Sequence, residues 1–99
     1  MPKFRLLFSP EARTALSNLT KDQSAAKRLR AVRKTLALLE TNPRHPGLHI
    51  HEYSKLSDTH GEKVFEAYAE NKTPAAFRVF WRYGPAKGQM TIIAITQHP

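Results

Sequence analysis

Two arginines on one predicted strand are the residues of this chain best suited to chemistry on a phosphate. Arg78 and Arg82 lie in a run of aromatic and β-branched residues, 77–83, and side-chain alternation puts both on one face of a strand. A guanidinium stays charged and can grip two phosphate oxygens through its planar fork. His98 ends the next apolar run, and histidine titrates near neutral pH. These residues therefore favour a phosphate substrate.

Arg78 and His98 each have a structural alternative to a role on a phosphate. The alternative for Arg78 is an exposed strand arginine paired with Glu66 or Glu70 across the sheet. The alternative for His98 is a frayed chain end without a function.

The elements that must position these residues begin with a strand and two helices. Residues 4–8 form a short apolar strand, and Ser9 followed by Pro10 is typical of a helix start. Thr20 and Gln23 have capping-box spacing, which predicts that a second helix begins there. Each helix has one apolar stripe, formed by Ala12, Ala15, Leu16 and Leu19 in the first and by Ala25, Leu29, Val32, Leu36 and Leu39 in the second, which ends near Asn42-Pro43.

The second half of the chain is predicted to be β-structure. Residues 48–51 resemble a short strand, 54–62 a loop, 63–69 a strand and 71–74 a turn. The runs 77–83 and 90–96 flank a Gly/Pro turn and predict a terminal hairpin, in which Trp81 and Tyr83 pack as core against the helices. The predicted order is β, α, α and then three or four β.

Composition limits the class of protein. The chain has 99 residues and 40% hydrophobic residues, which suits a single folded domain spanning 1–99. It has no cysteine, so disulfides, thiolate zinc sites and cysteine nucleophiles are excluded. Neither a signal peptide nor a membrane span fits the sequence, so we expect a cytoplasmic protein with no membrane partner.

The positive charge is concentrated in the first half. Residues 1–50 hold ten Lys/Arg and three acids, giving +7 of the total +8. Lys27, Arg30 and Lys34 lie opposite the apolar stripe of the second helix. With Arg82 on its strand, they predict a surface for RNA or an acidic protein, and a solvated outer face is the alternative.

A metal site is weakly indicated. The chain has five histidines, and alternation puts His49 and His51 on one strand face. An H-x-H pair alone is a weak signal, and nothing in the spacing resembles a zinc finger. We therefore expect no metal and no cofactor.

The order and spacing of short motifs over nearly the whole chain resemble the RelE/ParE toxin superfamily. The likeness rests on residues 38–43, Leu48, Lys55-Leu56, 64–66, 77–80 and a last strand that ends in histidine. It implies an α+β fold, with an N-terminal strand and a two-helix hairpin packed on a twisted antiparallel sheet. Family members are small basic toxins of bacterial type II toxin–antitoxin pairs. RelE-like members cleave mRNA on the ribosome, and ParE-like members poison DNA gyrase.

The resemblance also implies functional residues and partners. Metal-free cleavage of RNA needs a base for the ribose 2′-hydroxyl, a cation for the charge that develops on the phosphate, and an acid for the departing 5′-oxygen. Arg78 matches an arginine that contacts the phosphate or the transition state, so the resemblance makes it the leading candidate for the cation. His98 matches a histidine found in some RelE-like toxins, which makes it a candidate acid or base. His51, Glu52 and Lys55 occupy the region where members place a carboxylate or lysines facing the scissile phosphate. The implied function is a metal-independent mRNA endoribonuclease that inhibits translation and is neutralised by an acidic antitoxin. A non-enzymatic gyrase inhibitor and an inactive toxin-like binding domain are the alternatives.

Overall fold

Two helices and five strands make up the described part of the chain, which in this computed structural model is residues 3–57, 61–72 and 75–97, with the backbone alone for 54–57. In chain order they are β1 (Arg5–Phe8), α1 (Pro10–Lys21), α2 (Ala26–Thr41), β2 (His51–Ser57), β3 (Lys63–Tyr68), β4 (Phe77–Tyr83) and β5 (Gln89–Gln97). The strands form one sheet in the order β1-β5-β4-β3-β2. The predicted α+β architecture is confirmed, although β1 runs parallel to β5 and only the other pairs are antiparallel.

The start of α1 is fixed by the hydroxyl of Ser9. Ser9 Oγ accepts a hydrogen bond from the backbone N–H of Ala12 at 3.0 Å and donates one to the carbonyl of Ile93 at 2.7 Å. Ile93 lies at a shift in register between β4 and β5, where Phe80 pairs with Ala94 and the next residue pairs with Ile92. The predicted N-cap is confirmed, and the same hydroxyl also ties α1 to the bulge in the sheet.

The second helix begins later than predicted. Thr20 still belongs to α1, and its hydroxyl donates to the carbonyl of Leu16 at 2.9 Å. Asp22 is the residue that caps, because its carboxylate accepts from the backbone N–H and the hydroxyl of Ser24 ahead of a 3₁₀ turn at Gln23–Ala25. These hydrogen bonds lower the pKa of Asp22 below its ordinary 3.8. Their contribution to stability is therefore present at neutral pH and is lost as the pH falls through that lowered value.

The core lies between the helix pair and one face of the sheet. The predicted apolar stripes are confirmed, since Ala12, Leu19, Val32, Leu36 and Leu39 are buried against Ala67, Val79, Trp81, Met90, Ile92 and Ile95. Trp81 is fully buried and stacks on Phe65 with a centroid distance of 5.8 Å. The prediction that Tyr83 is core is wrong, because this residue near the end of β4 is 45% exposed.

The segment after α2 differs most from the prediction. Pro46–Leu48 form a 3₁₀ turn, capped by His45, whose Nδ1 accepts from Gly47 N–H at 3.0 Å. This turn buries Leu48, and His49 then adopts a left-handed conformation with φ of 48°. The predicted strand at 48–51 is wrong, because the 3₁₀ turn buries Leu48 without a strand. The predicted loop at 54–62 is wrong in its first half, because β2 runs through it.

Candidate functional site

The sheet face away from the helices holds a cluster of charged side chains. Ala67 and Val79 belong to the core under the helices, so Glu66 and Arg78, which precede them, point to the opposite face. Cross-strand pairing sets His51 directly opposite Glu66. The predicted facing of Arg78 is therefore confirmed, and three neighbouring strands contribute one ionisable side chain each.

Arg78 is buried, with 7% of its surface exposed. Its Nη1 donates to the carbonyls of Glu70 and Phe77, and its Nε lies 3.8 Å from Oε2 of Glu66. The guanidinium also stacks over the Tyr68 ring, 3.7 Å from the centroid. Arg78 thus lies beside the carboxylate of Glu66 and bonds to the backbone carbonyl of Glu70, as a buried residue rather than the exposed strand arginine of the alternative.

Nη2 of Arg78 is left for a ligand. Within the described ranges, Nη1 makes the hydrogen bonds of this side chain, and Nη2 makes no polar contact. Nε is buried without a hydrogen bond there and lies 3.8 Å from Oε2 of Glu66. Because an arginine Nη2 carries two N–H groups, a phosphate could receive one or two hydrogen bonds there without breaking the existing contacts. The buried position would strengthen such bonds, since little water competes for the guanidinium.

Glu66 joins Arg78 to His51. Its carboxylate is fully buried, and Oε1 lies 2.6 Å from Nε2 of His51, whose side chain is 47% exposed. The other ring nitrogen, Nδ1, lies 3.1 Å from the carbonyl oxygen of His49. The contact with Glu66 is a close charge contact that is not aligned as a hydrogen bond. Nδ1 hydrogen-bonds to the His49 carbonyl oxygen when that nitrogen carries the hydrogen. One carboxylate therefore separates a fixed cation from a group able to carry protons.

Glu52 is not part of this cluster. It pairs in register with Phe65, which packs against the core, so it faces the helix side of the sheet. Its carboxylate lies 3.9 Å from Nζ of Lys63, and both side chains are largely exposed. The structure thus brings His51 to Arg78 and puts Glu52, one residue later, on the other face.

The remaining two predicted catalytic residues, Lys55 and His98, lie partly or wholly outside the described part of the structure. Lys55 belongs to β2, but its side chain lies outside the described part of the structure. His98 also lies outside the described residues. The described chain ends at Gln97, which pairs with Phe77, next to Arg78.

The cations predicted to bind nucleic acid lie on two layers of the molecule. Lys27, Arg30 and Lys34 are exposed on α2, on the far side of the sheet from the cluster, whereas Arg82 is half-buried on the cluster's own face. A continuous anion would have to pass around an edge of the sheet to contact both layers. The exposed helix face and the cluster are therefore two separate surfaces.

Glu70 links these two layers. Its Oε1 accepts from Nε of Arg28 on α2 at 2.8 Å and from the backbone N–H of Phe77 at 3.0 Å, while its carbonyl accepts from Arg78. Arg28 also lies over the Phe77 ring, 4.4 Å from the centroid. Arg28 is consequently engaged inside the molecule, unlike its exposed neighbours on α2.

A cleft of about 260 Å³ opens between α2, the 3₁₀ turn and the end of β3. Leu48 and Tyr68 are among its lining residues, with Lys34 and His45 from the exposed surface. No three histidine or acidic side chains come together as a metal site in the ranges that the structure describes. The cleft therefore adds an anion-compatible surface but no metal centre.

Sequence analysis missed the central residue of the cluster. The sequence predicts Glu66 only as an alternative cross-strand partner of an exposed Arg78, and it does not predict Tyr68 as the ring on which Arg78 stacks. A signal was present, because Glu66 alternates with Val64 and Tyr68 in a strand that is otherwise apolar after its first residue, Lys63. An acid in such a strand must find a charged or hydrogen-bonding partner when it is buried.

Comparison with solved structures identifies the fold, which is shared with a YoeB/ParE toxin and with a chain of a RelE–RelB complex. Within the described ranges, no helix combines the length and apolar character needed to cross a membrane. A YoeB/ParE toxin from Agrobacterium tumefaciens is similar with a TM-score of 0.70 at 8% identity, over 97% of this chain and 100% of the other. The archaeal RelE–RelB complex from Pyrococcus horikoshii OT3 contains a chain that is similar with a TM-score of 0.63 at 14% identity, over 96% and 94%. No protein-family profile and no curated protein sequence matches.

Proposed function

We propose that this protein is the toxin of a type II toxin–antitoxin pair and acts as a metal-independent endoribonuclease on mRNA. The observation that carries the proposal is the contiguous Arg78–Glu66–His51 cluster on the sheet face away from the helices. It combines a fixed cation with a group that can carry a proton, as phosphodiester cleavage requires. The similar structures, a YoeB/ParE toxin and a RelE–RelB complex, support the toxin role.

Arg78 and His51 have the leading roles in this proposal. Nη2 of Arg78 binds a non-bridging phosphate oxygen and stabilises the charge that grows on it. His51 moves a proton, and its half-exposed ring is accessible to a substrate lying across the cluster. His98 and Lys55 are proposed to complete the site, whereas Glu52 is not, because it faces the other side of the sheet.

Inhibition of DNA gyrase is the second candidate function. Contacts on three sides of a buried Arg78 would also suit a purely structural arginine, and a ParE-type inhibitor needs no catalytic group. Under this alternative, substitutions in the cluster would affect folding but not the target. An inactive toxin-like domain would bind only its partner.

The proposed partners follow from charge. An acidic antitoxin would cover the basic surface of α2, where Lys27, Arg30 and Lys34 are exposed. The mRNA would be bound on the ribosome in the cytoplasm, and encounter with either polyanion is favoured by the net charge of +8.

A test of the function uses purified protein in a bacterial cell-free translation system with one defined mRNA. We expect protein synthesis to stop and the mRNA to be cut, while DNA supercoiling by purified gyrase continues at the same protein concentration. Loss of supercoiling with intact mRNA would establish the gyrase alternative. Intact mRNA with continued synthesis and supercoiling would favour the third candidate, an inactive toxin-like domain that binds only its partner.

Replacing Lys27, Arg30 and Lys34 together with alanine should weaken RNA binding without unfolding the protein. The slope of log K against log salt is negative, and each lost phosphate contact reduces its magnitude by about 0.7 for single-stranded RNA. The magnitude of the slope should therefore be smaller by about 2. Fluorescence anisotropy with a labelled single-stranded RNA measures the slope. The matched control, Arg13→Ala/Lys21→Ala/Lys87→Ala, removes three exposed cations elsewhere. Equal slopes for the two variants would show that α2 is only a solvated face.

A further inference from the structure

We propose that Glu66 is a positioning residue that orients His51 as the general acid of RNA cleavage, with Nδ1 as the nitrogen that donates the proton. The proposal rests on the proposed endoribonuclease function and deepens it. It assigns orientation of the ring to the carboxylate of Glu66 and proton transfer to Nδ1 of His51.

The two nitrogens of His51 have different environments. Nε2 lies 2.6 Å from Oε1 of Glu66, whose side chain is fully buried, so a substrate atom cannot reach Nε2 without displacing the carboxylate. Nδ1 makes a longer contact of 3.1 Å with a backbone carbonyl, on a ring that is half exposed. In hydrolytic triads a buried carboxylate holds one imidazole nitrogen and the other nitrogen does the chemistry. The same division assigns proton donation to Nδ1.

Glu66 itself is held in place by its neighbours. Nε of Arg78 lies 3.8 Å from its second oxygen, and Arg78 is fixed by the Tyr68 ring and by backbone carbonyls. The Tyr68 ring also meets the His51 ring edge-on, with centroids 6.2 Å apart. A carboxylate with so little freedom to move can fix the orientation of an exposed imidazole, which would otherwise rotate about its side-chain bonds.

The proton transfer completes a balanced step. The 2′-oxygen forms a bond to phosphorus while the bond from phosphorus to the 5′-oxygen breaks. The proton on Nδ1 of His51 goes to the departing 5′-oxygen, and the 2′-hydroxyl proton goes to water. The products are a 2′,3′-cyclic phosphate and a 5′-hydroxyl, and His51 regains its proton from solvent.

The test is an RNA whose scissile 5′-oxygen is replaced by sulfur. A thiolate leaves without protonation, so loss of a general acid matters far less on this substrate than on ordinary RNA. The RNA is a short mRNA on ribosomes, with sulfur at the bond that the wild type cleaves. His51→Ala and Glu66→Gln should each slow cleavage of ordinary RNA by about 10²-fold or more, with at least tenfold of this loss recovered on the sulfur substrate.

Arg78→Lys and Lys21→Gln provide the comparisons. Arg78→Lys removes planar phosphate binding, so it should slow cleavage of both substrates equally. Lys21 is exposed at the end of α1, outside the cluster and the cleft, so Lys21→Gln should cleave both substrates at the wild-type rate. Because Glu66→Gln changes a buried residue, His51→Ala at a half-exposed position keeps the test valid if the first variant does not fold.

The outcomes separate this proposal from the function on which it rests. Equal slowing of His51→Ala on both substrates, or no slowing on either, would overturn His51 as the acid while the nuclease function stands. Full activity of a folded Glu66→Gln variant would overturn the positioning role. If the wild type cleaves neither substrate, the endoribonuclease function fails and this proposal fails with it.

Discussion

Arg78→Met should abolish RNA cleavage and lower the free energy of unfolding by about 3–5 kcal/mol, whereas the double variant Arg78→Met/Glu66→Leu should be inactive and regain most of that stability. The single change leaves the fully buried carboxylate of Glu66 without its guanidinium. The double change removes both buried charges and replaces them with apolar side chains of similar size. Such replacements are often neutral or stabilising, because burying two charges costs solvation.

Urea denaturation followed by tryptophan fluorescence measures these stabilities. Arg82→Met is the matched control, because Arg82 lies on the same strand face but is only half-buried. Its loss should cost about 1 kcal/mol or less. If Arg78→Met is no more destabilising than Arg82→Met, the buried ion pair does not hold this face together. If the double variant does not recover stability, the cost of Arg78→Met has another origin.

Trp81→Ala should lower the free energy of unfolding by about 3–5 kcal/mol, which is enough to unfold many proteins of this size. Trp81 is fully buried, stacks on Phe65 at 5.8 Å and lies in the core between the sheet and the helices. Alanine would leave a cavity that its neighbours on β3 and β5 cannot fill. Thermal unfolding followed by circular dichroism measures the loss.

Two further variants separate packing from hydrogen bonding at this position. Within the described ranges the indole Nε1 of Trp81 is buried without a hydrogen-bond partner, so Trp81→Phe should cost clearly less than Trp81→Ala. Tyr83→Ala, at a position that is 45% exposed, should cost about 1 kcal/mol. Equal losses for Trp81→Ala and Tyr83→Ala would contradict the described core.

The helices were predictable because their signals are local. The apolar stripes and the cap at Ser9 depend on residues within one or two turns of each other. The start of α2 was misplaced because two capping patterns overlap, and the carboxylate of Asp22 binds Ser24 while Thr20 bonds back to its own helix. Both patterns are typical of helix starts, and only the hydrogen bonds of the folded chain show which residue is the cap.

The site was less predictable because it depends on pairing between distant strands. Alternation correctly put Arg78 and Arg82 on one face, but the burial of Arg78 comes from Glu66 and Tyr68 on β3. The onset of β2 at His51 could not be read from the sequence, since the preceding turn buries the same leucine that a strand would bury. That onset decides which of His51 and Glu52 faces Arg78.

The most direct test of the central claim is to map mRNA 5′ ends in bacteria that produce the wild type or Arg78→Met/Glu66→Leu at matched levels. The double variant keeps the fold in this account but lacks the cation that would bind the phosphate. We predict new 5′ ends within coding sequences and growth arrest with the wild type, and neither with the double variant. The same new ends with the folded double variant, or growth arrest by the wild type without new ends, would contradict an RNA-cleaving site at Arg78.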